Sequence, residues 1–218
     1  AFGVTSSRFE DVVEALRCFE TMKKLKASTI VVVGSAPGDV GKALHDVFGT
    51  SVVPVDFPEL NAAHARADRL EAKRWAARWT GAAEKVAGPS SEEIEKSGAM
   101  FLAMRALMAT HHAQAITINC LGGFYGGQMQ AYPCLGHFQL NNDGLVGACE
   151  ADLQSTITML AMGYLVGVPG YISDPVVDTA TNRVIYVHCV ATNKVFGPDG
   201  ATNPYQILSH AEDRKGAA

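Results

Sequence analysis

The chain has 218 residues, 48% of them hydrophobic and 18% charged, with a formal net charge of −4. That is enough to bury a full core in one large domain or two small ones, and the acidic balance leaves no basic surface for phosphates, which sets nucleic-acid binding aside. No run of about 18 apolar residues and no charged-then-apolar leader occurs, so neither a membrane span nor a signal peptide is expected.

Residues 8–26 carry Phe9, Val12, Val13, Leu16, Phe19, Met22 and Leu25 on one stripe, an amphipathic helix opened by Ser6 or Ser7. Thr29–Val33 follows as an apolar run without alternation, as expected of a parallel strand covered on both faces. The loop from Gly34 to Lys42 fails the phosphate-loop pattern, having Ala36 where Gly is needed and Ala43 where Ser or Thr is needed. It reads as an ordinary turn into a helix through Val47. A second strand is expected at Ser51–Val55, then an Ala-rich stretch from Leu60 to Val86 in which Trp75 and Trp79 suit core or interface contacts. Ser90 and Ser91 before Glu92 and Glu93 mark a capped helix running to about His111, and Ala115–Asn119 reads as another strand.

This alternation predicts an α/β fold, with a parallel-sheet α/β/α (Rossmann- or flavodoxin-like) domain over 1–115 and a smaller mixed α+β segment over 116–218. After Cys120 the glycines Gly122, Gly123, Gly126 and Gly127 loosen the chain, and a region of short strands is expected beyond Tyr132, including Tyr171–Ser173 and Val184–Cys189. Between these, Gly144–Cys149 reads as a buried strand and Leu153, Ile157, Leu160, Ala161 and Tyr164 as a helix stopped by Gly167 and Pro169. The chain begins at Ala1 without Met and ends without a closing element, as expected of a piece of a longer polypeptide.

The strand–helix junction Cys149-Glu150-Ala151-Asp152 holds the strongest chemical signal. Asp152 stands at the predicted N-cap, where a carboxylate is worth roughly 1 kcal/mol with no catalytic role. Glu150 projects from a strand end, where burying a charge is costly unless it is paired or binds a metal. His188 ends an apolar strand and reads equally as a hydrogen-bonded core histidine or a metal ligand. Cys120, Gln128 and His137 are the candidate substrate contacts, and Cys120 before Leu121-Gly122-Gly123 also suggests a nucleophile turn. Asp174-Pro175 and Asp178 read as turns. The five cysteines form an odd set without a C-x-x-C pair, so reduced thiols in a cytoplasmic protein are expected in place of a disulfide framework or zinc knot.

Cys120, Tyr132-Pro133-Cys134, Leu140-Asn141-Asn142-Asp143-Gly144, Cys149-Glu150-Ala151-Asp152, Thr158-Met159-Leu160, Gly167-Val168-Pro169, Asp174-Pro175 and His188-Cys189 occur in that order. Together they resemble the L-fucose/L-arabinose isomerase superfamily, especially its fucose-isomerase-like members, over its middle domain and part of its C-terminal domain. The resemblance implies a homo-oligomeric aldose–ketose isomerase acting on a sugar, with a divalent metal of the Mn²⁺ type stabilising an enediol. It places the metal on Asp152, with Glu150 beside it as second ligand or base. The upstream acid of well-studied members is missing, since no carboxylate lies between Glu95 and Asp143 and Gln128 stands nearest. The family's histidine lies farther along than any matching position, so His188 stands in for it. Two other readings stay open: a non-catalytic carbohydrate-binding or degenerate subunit on the same scaffold, and a thiol-dependent enzyme using Cys120.

Overall fold

A computed structural model describes residues 3–218. The elements in chain order are α1 (Phe9–Lys26), β1 (Thr29–Val33), α2 (Gly38–Phe48), β2 (Ser51–Val55), α3 (Phe57–Arg66), α4 (Arg69–Ala82), β3 (Lys85–Ala87) and α5 (Ser91–Thr110). They continue with β4 (Ala115–Ile118), α6 (Cys120–Tyr125), α7 (Cys134–Asn142), β5 (Val146–Cys149), α8 (Leu153–Val166), β6 (Asp174–Asp178), β7 (Arg183–Val187) and β8 (Gln206–Leu208).

The main sheet has the order β2-β1-β4-β5 and every pairing in it is parallel. Ile30 to Val33 and Ile116 and Ile118 are fully buried, as strands need to be when helices cover both faces. Pro54, which cannot donate to a ladder, lies in β2 at the sheet's edge. Helices α1, α2 and α8 pack on one another, while α5 packs on α3, α4 and α7; α8 and α7 bring these two groups against β5. The molecule is therefore mixed α/β, a four-stranded parallel sheet flanked by helices.

The sheet runs across residue 116, so β4 and β5 continue the strands of the first half. Where short strands were expected after Tyr132, the chain forms the helix α7, nearly all of whose residues are buried. A helix wet on no side shows no apolar periodicity to read. The expected Ala-rich segment divides in two because Asp68 accepts hydrogen bonds from the Leu70 and Glu71 amides and so starts α4. Trp79 is core: it is 2% exposed, its indole N–H donates to Gln139 at 2.9 Å, and its ring meets Phe101 edge-on. The stripe of α1 is not core, since Phe9, Leu16 and Met22 are exposed and Leu25 alone of the seven joins the buried cluster.

Beyond α8 the chain makes an antiparallel hairpin, β6–β7, with Asp178 closing its turn by accepting from the Ala180 and Thr181 amides. It then returns to pair β8 with β3. The hairpin and the segment after β8 share a cavity with Cys120 and Cys149 at the carboxyl end of the main sheet, which brings His188 and His210 near the ends of β4 and β5.

Contact between α7 and β5 is close enough to need glycine. A Cβ on Gly147 would stand 2.7 Å from the His137 Cα, while the Gly147 amide and carbonyl are both bonded to the Asn141 side chain at 3.0 Å. Gly147→Ala is expected to cost about 1–3 kcal/mol through overpacking, read as a lower urea midpoint at unchanged slope. His137 itself is fully buried and neither ring nitrogen has a protein partner. Burial lowers its pKa from 6.5 to about 4, so between those values the unfolded chain binds a proton that the folded chain refuses. Stability is then complete above pH 6.5 and falls as the pH drops towards 4, by about 3 kcal/mol. In denaturant titrations, His137→Phe is expected to flatten that acid limb.

Candidate functional site

The strand register decides what meets at the sheet's carboxyl edge. Val33 lies opposite both Val55 and Ile118, and Ile118 lies opposite Cys149, so the last residues of all four strands form one row. Just past β4, the Asn119 side chain accepts from the Gly122 amide and donates to the Gly34 carbonyl, turning the chain at once into α6. Cys120 is thereby held beside Cys149, with their sulfurs 2.9 Å apart.

Past β5 the backbone makes a rarer turn. Glu150 and Ala151 have φ of 65° and 55°, the left-handed region that costs a non-glycine residue about 1–2 kcal/mol. The turn is held by the Ala151 amide donating to the Ile118 carbonyl at 3.0 Å and by Asp152 capping α8. Asp152 Oδ1 accepts from the Gln154 and Ser155 amides, both at 2.9 Å, and Oδ2 accepts from the Ser155 hydroxyl. Strain of this kind collects at functional sites, where it aims a side chain the relaxed backbone would not aim.

The hairpin completes the arrangement. His188 and Cys189 follow directly on β7, and the Cys189 sulfur stands 3.6 Å from that of Cys134 at the start of α7. One donor atom each from Cys149, Glu150 and His188 lie within 4.8 Å of one another. These residues border a cavity of roughly 250 Å³ that also receives Asp174 and His210.

The charges are interdependent. Desolvation, then the neighbouring Asp174 charge, raises the Glu150 carboxyl above its ordinary range, while His188 pulls it the other way. Hydrogen bonding to Cys189 lifts His188 to about 8 against the opposing effect of its burial. Cys189 is held well below an ordinary thiol by hydrogen bonding with Cys134 and then Cys149. Cys149 and Cys134, hydrogen-bonded to Cys120 and Cys189 respectively and buried, are pushed up. Cys120 is lowered too, chiefly by its hydrogen bond with Cys149, so two of the four sulfurs, Cys120 and Cys189, lean towards the thiolate.

Of the residues singled out in the sequence, Cys120, Glu150 and His188 come together here. Asp152 lies immediately beside them, committed to the cap of α8. Gln128 is exposed on the α6–α7 connection, where its carbonyl accepts from Asn61, and His137 is enclosed between α7 and β5. Sequence reasoning did not find Cys134, Cys189 or His210 as neighbours, and Asp174, which it grouped with the strand-end polar residues but read as a turn, opens β6 at the cavity. The signal it used, a short spacing between cysteines, misses contacts that span 29 and 55 positions.

No protein-family model matches the chain. It is 30% identical, over 186 residues covering 80% of its length, to a protein from Alkalicoccus urumqiensis named sulfoquinovose isomerase, of which it covers 41%. It is 23% identical, over 219 aligned positions covering 94% of its length, to proteins of the same name from Priestia aryabhattai and Priestia megaterium, of which it covers 48%. The chain thus spans less than half the length of the curated relatives it matches, each of which is named sulfoquinovose isomerase.

Proposed function

We propose that the cavity at the ends of β4 and β5 is this chain's share of the active site of an aldose–ketose isomerase. The observation that carries the reading is the convergence of Glu150, His188 and Cys149 within 4.8 Å, in a chain related to named sugar isomerases.

The residues present fit a divalent cation. His188 Nδ1 is buried without a protein partner, a state that costs free energy unless something satisfies the nitrogen. Glu150 and His188 would hold the ion, while Asp152 caps α8 and borders a separate hollow with Tyr171 and Tyr186. Carboxylate and imidazole suit Mn²⁺, and enlisting the Cys149 sulfur would shift the preference towards Zn²⁺ or Fe²⁺. Such an ion supplies Lewis-acid polarisation of the sugar's carbonyl and adjacent hydroxyl.

The chain's own groups do the rest. Asp174 lines the same cavity but stands outside the donor trio, which leaves it to take the proton from one carbon of the open-chain sugar and return it to the next. A cavity of about 250 Å³ suits a monosaccharide in part, and the partial enclosure limits loss of that proton to water. The relatives' name points to a sulfonated sugar. His188 and His210 are the basic side chains this chain contributes to the cavity.

Metal analysis of the purified chain, followed by assay of ketose formation from aldoses with and without a sulfonate, tests the reading. Glu150→Gln and His188→Gln are expected to reduce bound metal at least tenfold. Asp174→Asn is expected to retain metal while turnover falls by about 10²–10⁴-fold, the usual worth of a general base. Unchanged metal content in both Glu150→Gln and His188→Gln would refute the assignment.

A further inference from the structure

Four of the five cysteines lie in one file. The sulfurs of Cys134 and Cys189 are 3.6 Å apart, those of Cys149 and Cys120 are 2.9 Å apart, and all four residues line one cavity. Cys120, Cys134 and Cys149 are at most 2% exposed, whereas Cys189 keeps partial exposure at the cavity that opens beside it. Cys18, the fifth, is exposed on α1. Cys189, inside the file, is its one partly exposed member, and the closest sulfur pair, Cys120 and Cys149, is buried beside the same cavity.

The backbone favours joining that pair. Ile118 and Cys149 are register partners on adjacent parallel strands, and Cys120 is anchored by the Asn119 cap two positions beyond Ile118. The gap of 2.9 Å between sulfurs has to shrink by less than about 1 Å to reach a disulfide bond. No strand must leave the sheet for this to happen.

We propose that the four sulfurs are a redox-modification site, in which a hydroperoxide entering at Cys189 leads to a disulfide between Cys120 and Cys149. The Cys189 sulfur attacks the outer oxygen of the hydroperoxide. The O–O bond breaks, the departing oxygen takes a proton and leaves as water or alcohol, and Cys189 becomes a sulfenic acid. Cys149 then displaces that hydroxyl, forming an S–S bond to Cys189 with release of water. Cys120 attacks the Cys149 sulfur and expels Cys189 as a thiolate. In sum two thiols lose two electrons and two protons, and the peroxide bond is reduced. Cys134, in contact with Cys189, offers the same exchange a competing exit.

Oxidation of Cys149 also withdraws a sulfur from the trio it forms with Glu150 and His188. That consequence rests on the isomerase reading. The disulfide itself does not.

The test uses the full chain carrying Cys18→Ser, reduced and then freed of reductant. It is treated with one equivalent of hydrogen peroxide, alkylated in denaturant and digested without reduction. The number of titratable thiols is expected to fall by two, with a single cross-linked peptide joining Cys120 to Cys149, and dithiothreitol is expected to restore both thiols. Cys189→Ser is expected to slow formation of that cross-link at least tenfold. Retention of all thiols, or a cross-link confined to another pair, overturns the proposal. So does one equivalent of co-purified zinc that must be chelated before any of the four sulfurs reacts, since that outcome makes the cluster a cation site. These readings come from the folded parent chain, verified by circular dichroism, so a misfolded variant does not decide the matter, and none needs a sugar or turnover.

Discussion

Everything placed at the candidate site depends on one constraint, the parallel register that ends four strands in a single row. Because Val33, Val55, Ile118 and Cys149 finish level, the residues immediately after each strand have nowhere to go but over the same edge. Parallel sheets in open α/β folds collect their binding groups there for this reason. Here the effect is sharpened by two short caps, Asn119 and Asp152, which turn the chain into helices one and three residues past the strand ends. The Ala151 amide bonded to the Ile118 carbonyl ties the second turn to the neighbouring strand. Glu150 is consequently fixed by backbone hydrogen bonds on either side of it, and its left-handed conformation is a product of that fixation.

The groups gathered at the edge are costly to keep together without one another. Glu150 is pushed towards its neutral form by desolvation and by Asp174, and His188 counters that push. His188 is itself kept cationic by Cys189 in spite of partial burial. Glu150 is exposed and His188 half-buried, so solvent screens part of these interactions and losing one partner costs less than it would in a dry interior. A divalent cation would relieve the carboxylates and take the orphaned His188 nitrogen by displacing the imidazolium proton, which is the physical content of the metal reading.

Much of this was legible in the sequence, and unevenly so. β1 and β2 are found where the apolar runs place them, because Gly34 and Asp56 bound those runs, and the near-complete burial of β1 removes alternation there. The Ser90 and Asp152 caps and the Gly167 stop were readable because capping is local chemistry. Helix α7 was not, since its burial is nearly complete and erases the period on which a helix is recognised. The stripe on α1 was read correctly as amphipathic, but periodicity says only that a face is apolar and not what covers it. Glu150 and His188 were found from their positions after strands, whereas the sulfur file was invisible, since tertiary contact over 29 and 55 positions leaves no spacing to count.

Two chemistries share the cavity, and their donors differ in kind. Carboxylate and imidazole on the open side favour a hard or borderline cation, while the file of thiols on the closed side favours soft ions or oxidants. Cys149 belongs to both sets, as the last residue of β5 and the neighbour of Glu150 in sequence. Any event that engages its sulfur therefore acts on the trio with Glu150 and His188, and any cation that recruits it acts on the thiols. The two halves of the cavity are coupled through a single sulfur atom, whose position the sheet register already dictates.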